Sequence, residues 1–132
     1  LVGEVPEAII LSHSPEYAAM RDAYKTKSKF IKIIKKYSSS VDVVVMFATW
    51  CPTCKTVLPK FLKVLDEAGG GFDVKYIGLA MGGSEPQAAL KKYGHDYPAF
   101  IFFSRGKEID RIIGDPPVPF ERAMADILKR SK

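Results

Sequence analysis

From Val41 to Ala48 the chain reads VDVVVMFA, apolar but for one aspartate and rich in β-branched side chains. Such a run predicts a central strand buried on both faces, and therefore a sheet covered by helices. DVKYIGLA (73–80) and AFIFF (99–103) predict two more strands. KEIDRII (107–113) predicts a fourth, turned back on the third by SRG (104–106) as a hairpin. Apolar stripes of helical period predict the rest. Val57, Leu58, Phe61, Leu62 and Leu65 mark one helix, which the glycines at 69–71 end. Phe120, Ala123, Met124, Ile127 and Leu128 mark a last one, from about Pro119. SEPQAALKKYG opens on Ser84 and Gln87, a capping-box pair, and predicts a short helix to about Tyr93. Nearer the start, EAIIL (7–11) reads as a short strand. SPEYAAMRDAY reads as a helix with Ser14 as its N-cap and Pro15 at its first position. KSKFIKIIKKY (27–37) reads as an amphipathic helix, separate from the previous one or continuous with it.

This order predicts an α/β fold, a central mixed sheet of four to five strands flanked by helices. The early strand–helix–strand unit implies a parallel pair, and the closing hairpin an antiparallel edge. At 132 residues, 47% hydrophobic and 27% charged, the chain fits one domain, with 1–40 as a helical extension and 41–132 as the core. The net charge of +5 comes from lysines scattered along helical stretches, which reads as a wetted surface and not as a nucleic-acid site. The lysine face of 27–37 would also suit a membrane surface, as the lesser alternative. No apolar run approaches a membrane span. The chain opens on Leu1, which fits a removed upstream segment, and with it a membrane tether, as well as it fits a trimmed chain.

The only two cysteines stand in ATWCPTCKTVLP, with Pro52 and Thr53 between Cys51 and Cys54. Cys51 falls at the junction of the buried strand and the next helix, where free N–H groups and partial positive charge favour a thiolate. Pro52 suits the first helical position, having no N–H to lose. Cys54, one turn on, lies beside Cys51. The first thiolate can attack a disulfide and the second can resolve the mixed disulfide. A zinc or iron–sulfur site usually needs four ligands, and these two cysteines with His13 and His95 stand at no finger-like spacing, so no metal is expected. A purely structural disulfide across so short a loop would constrain little of the unfolded chain.

FATWCPTCK, from Phe47 to Lys55, resembles the thioredoxin-family active site W-C-x-x-C-K. Pro59 matches the family's helix-kinking proline, YPAFIFFSRGKEI (97–109) its cis-proline strand and hairpin, and Gly114 a further family glycine. The resemblance runs from about Val41 to Lys132 and implies a thioredoxin-like fold. It also implies that Cys51 is the exposed nucleophile, Cys54 the buried resolving thiol, Trp50 a flank of the site and Pro98 the cis-proline facing the cysteines. A proline there binds no metal and leaves the Tyr97 backbone open to an extended substrate peptide. Taken alone, Pro98 would read as the first residue of an edge strand, and Trp50 as core packing.

Three features depart from thioredoxin. Pro-Thr replaces Gly-Pro between the cysteines, which bears on reduction potential. The approach YGHDYP (93–98) is shorter and carries His95, either a proton-moving neighbour of the thiols or a plain loop histidine. Val45 replaces a buried acid. FATWCP resembles the TlpA-like thioredoxins, often exported and tethered, although their central insertion is not obvious here. The implied activity is thiol–disulfide exchange with protein disulfides, as a reductant, by a monomer recharged by an upstream electron donor and using no cofactor. The compartment is left open, with an extracytoplasmic setting preferred. The alternative is a redox-inert binding module of the same fold.

Overall fold

The computed structural model describes residues 2–13, 15–81 and 84–130. Its elements run β1 (Gly3–Val5), α1 (Glu7–His13), α2 (Pro15–Ala23), α3 (Ser28–Tyr37), β2 (Asp42–Phe47), α4 (Pro52–Glu67), β3 (Asp73–Gly78), α5 (Gln87–Tyr93), β4 (Ala99–Ser104), β5 (Lys107–Ile113) and α6 (Phe120–Leu128). The strands form one mixed sheet in the order β1-β3-β2-β4-β5. β2 and β3 are parallel, Val45 facing Tyr76, while β1 on β3, β4 on β2 and β5 on β4 are antiparallel.

The predicted central strand is central. From Val43 to Phe47 every residue of β2 is buried, because a neighbour pairs on each edge and helices cover its faces. Phe61 of α4 and Phe120 of α6 meet Phe100 of β4 with ring centroids 5.0 and 4.9 Å away, so these helices share a core on one face of the sheet. On α5, Tyr93 packs edge-on against Phe103 at 6.2 Å.

Two expectations near the helix starts need correction, and one left open is decided. EAIIL is not a strand: Glu7–His13 is helical and buries Ile10, and the place beside β3 is taken by Gly3–Val5. Pro6 starts that helix, its carbonyl accepting from the N–H groups of Ile9 and Ile10. The helix over 27–37 is not continuous with the one before, since residues 24–27 separate α2 from α3. Ser84 and Gln87 form no capping box: α5 begins at Gln87 after a cis Glu85–Pro86 bond, and the Glu85 carboxylate accepts from the Gln87 N–H. The proline at 86 holds the chain extended just where Ser84 would have had to start the helix. The expected cap at Ser14 lies outside the described residues.

The break between α2 and α3 is pinned to α6. Glu121, buried to 1% exposure, accepts from the Tyr24 hydroxyl at 2.5 Å and the Lys27 backbone N–H at 2.7 Å. α2 lies along α4 and α3 along α6.

Candidate active site

The two cysteines sit where β2 hands over to α4. Cys51 is the N-cap, with extended backbone (φ −87°, ψ 121°), and Pro52 follows in the first turn. The Cys51 sulfur accepts from the Cys54 backbone N–H at 3.4 Å, as a cap side chain does. Its own N–H donates to the Ala48 carbonyl at 3.2 Å. Both thiols are free. Cys54 is fully buried, and burial is the main reason its thiol is pushed well above the ordinary cysteine range; the Cys51 sulfur adds to this, while a hydrogen bond from the Ala48 backbone opposes it.

Cys51 is less open than the resemblance implies. It keeps only 6% of its surface against none for Cys54, so the contrast in access is small. Trp50 meets Tyr97 edge-on at 5.2 Å beside it, and the indole N–H donates to the Leu79 carbonyl at 3.2 Å. These contacts join the loops after β2 and β3 to the approach to β4. The Tyr97–Pro98 bond is cis and Pro98 is buried. The Pro98 carbonyl accepts from the Gly114 N–H at 2.9 Å, and Gly114 holds φ +70°, where a glycine is at ease. His95 is exposed on the turn before Pro98, and among the described residues no hydrogen bond or ion pair joins it to either thiol.

One residue beside the site had no role in the sequence. Tyr17 of α2 is 2% exposed, and among the described residues its hydroxyl has no hydrogen-bond partner. Its phenol is pushed up to about 12, first by burial and then by the charges of Cys54, Cys51 and Glu16. Only the position of Tyr17 on the apolar side of an amphipathic helix hinted at burial, and nothing local pointed to the thiols.

The thioredoxin family model matches residues 21–126. The chain belongs to the thioredoxin family. The thioredoxin of Staphylococcus epidermidis is 32% identical over 96 residues, covering 72% of this chain and 86% of that protein. The Fasciola hepatica thioredoxin structure superimposes with a TM-score of 0.51 at 26% identity, covering 80% of this chain and 93% of its own. A Pseudomonas aeruginosa protein of unknown function superimposes with a TM-score of 0.70 over 98% of this chain and 92% of its own. At 14% identity that likeness concerns the fold alone, but it takes in the N-terminal elements. The family match begins about twenty residues before Val41, where the resemblance in sequence began, and so includes α3. The protein is a thiol–disulfide oxidoreductase.

Proposed function

We propose that the protein reduces disulfides of other proteins, with Cys51 as nucleophile and Cys54 as resolving thiol. The observation that carries this is the pair itself: two free thiols at a helix start, the Cys54 N–H directed at the Cys51 sulfur, beside the Trp50–Tyr97 ring pair. A thiolate at Cys51 would accept that N–H bond and face the positive end of α4. It attacks one sulfur of the substrate disulfide and releases the other as a thiolate. The Cys54 sulfur then attacks Cys51, the substrate leaves as its second thiolate, and an upstream dithiol donor restores the pair. Tyr97 and cis Pro98 present an edge on which an extended peptide can pair. Trp50 and Pro52 form the rest of the rim.

The test is reduction of insulin driven by dithiothreitol. The wild type should accelerate precipitation of the insulin B chain, and Cys51→Ser should abolish the acceleration. An inactive wild type would instead favour the redox-inert binding module, for which the near-complete covering of Cys51 is the supporting observation.

A further inference from the structure

The positive charge of the chain is not spread evenly. Lys25, Lys27, Lys29, Lys32, Lys35 and Lys36 follow one another with no acidic residue between Asp22 and Asp42. These six exceed the net charge of the whole chain, +5, so everything outside the segment is slightly acidic. All six are exposed, and among the described residues none joins an ion pair. Like charges at helical spacing repel one another, and an anionic surface laid against them relieves that repulsion. The fold turns them outward together. Ile31 and Ile34 of α3 are buried, and α3 lies along α6. Lys29, Lys32 and Lys36, at i, i+3 and i+7, therefore form a row on the opposite side of the helix. Ile33 borders that row and, like Phe30 and Tyr37, is only half-buried. Lys29 lies over the Phe30 ring at 5.0 Å and Lys36 over the Tyr37 ring at 5.7 Å, so the flank of the row is apolar and aromatic. The neighbouring α6 exposes Arg122, Asp126 and Lys129, and so adds no net acid to cancel the row.

We propose that this face of α3 docks the protein on an anionic lipid bilayer, with the lysines among the headgroups and Phe30 and Ile33 at their inner boundary. The composition of the face selects that partner. Its row is lysine without arginine. An arginine fork reads a carboxylate or phosphate held at fixed geometry, as a folded protein or a nucleic acid presents it. Ammonium groups on flexible stems instead follow a diffuse field of mobile charges, which is what a lipid surface offers. Apolar side chains beside the row add burial at the headgroup boundary, where an acidic protein surface would leave them against polar groups. Docking through α3 also leaves the thiols free. Cys51 and Cys54 lie past the far end of β2, the strand that α3 leads into. The docked protein therefore keeps its dithiol open to disulfides near the membrane.

The experiment is flotation with vesicles of phosphatidylcholine, pure or mixed with phosphatidylglycerol. The wild type should float with the mixed vesicles and not with the pure ones, and should be released as salt is raised. A variant carrying Lys29→Gln, Lys32→Gln and Lys36→Gln should bind the mixed vesicles about a hundredfold more weakly, at roughly fivefold per lysine. A second variant carrying Lys91→Gln, Lys92→Gln and Lys107→Gln loses the same charge from other exposed positions and should bind nearly as the wild type does. Both variants change only exposed side chains, so their melting curves and insulin reduction should match the wild type. Equal loss of binding in the two variants would reduce the effect to net charge and overturn the proposal. A wild type that ignores the mixed vesicles at low salt would overturn it too. So would displacement from them by polyglutamate or single-stranded DNA at matched charge, which would give the face to an acidic protein or a nucleic acid.

Discussion

Cys51 and Cys54 sit on one helical turn yet meet different surroundings. Cys51 caps α4 and takes the Cys54 N–H, whereas Cys54 points inward and burial disfavours its charge. The expected chemical consequence is a large gap in reactivity despite similar exposure. Limiting iodoacetamide on the reduced native protein should label Cys51 first, and Cys54 should need denaturant or strongly alkaline pH before it reacts. Peptide mapping reads the site directly, and dominant labelling of Cys54 would reverse the assignment. Both cysteines were legible in the sequence because their spacing and the strand-to-helix junction carry the chemistry. The covering of Cys51 was not. It depends on Trp50 and Tyr97 meeting across 47 positions of chain, a contact no local pattern encodes.

At the scale of elements, strands and helices with a complete period were legible and the ends were not. β2, β4, α4 and α6 appear where their apolar patterns place them, because pattern and burial agree along the whole element. EAIIL misleads because a four-residue apolar run fits either structure, and pairing beside β3 by Gly3–Val5 decides the matter. The joint between α2 and α3 was equally hidden, since Glu121 reads as a surface residue of an amphipathic helix. In the fold its carboxylate holds both the Tyr24 hydroxyl and the Lys27 N–H. Glu121→Gln keeps one acceptor oxygen and sets an amide NH2 against the other donor, so it should cost about 1–3 kcal/mol. Urea unfolding measures this. Tyr24→Phe strands the Glu121 carboxylate oxygen and the Phe120 N–H that the hydroxyl now joins, and should cost a similar amount. Equal stability of Glu121→Gln and wild type would show that the joint adds nothing.

For the whole molecule, the described residues before Tyr24 are built into the architecture. β1 closes the outer edge of β3, and α2 lies along α4. Ile10 and Tyr17 are almost wholly buried. The width of the apolar arc on α4 fits this arrangement. Cys54, Val57, Leu58, Phe61, Leu62, Val64 and Leu65 are all buried, more than one stripe against a sheet requires. A chain starting at Tyr24 would keep most of the segment matched by the family model but lose both supports. Each large side chain withdrawn from the core removes about 1.5–3 kcal/mol of burial, against a total stability of about 5–15 kcal/mol for an ordinary domain. It would also leave β3 with an open edge, a template for pairing between chains. The shortened protein should therefore melt far below the full chain, or aggregate, and should lose redox activity along with its fold. Circular dichroism melts with light scattering at matched concentration check this. A truncated chain that melts cooperatively at the full chain's temperature would mean that the N-terminal elements rest on the core without supporting it, and α4's broad apolar arc would then need another cover.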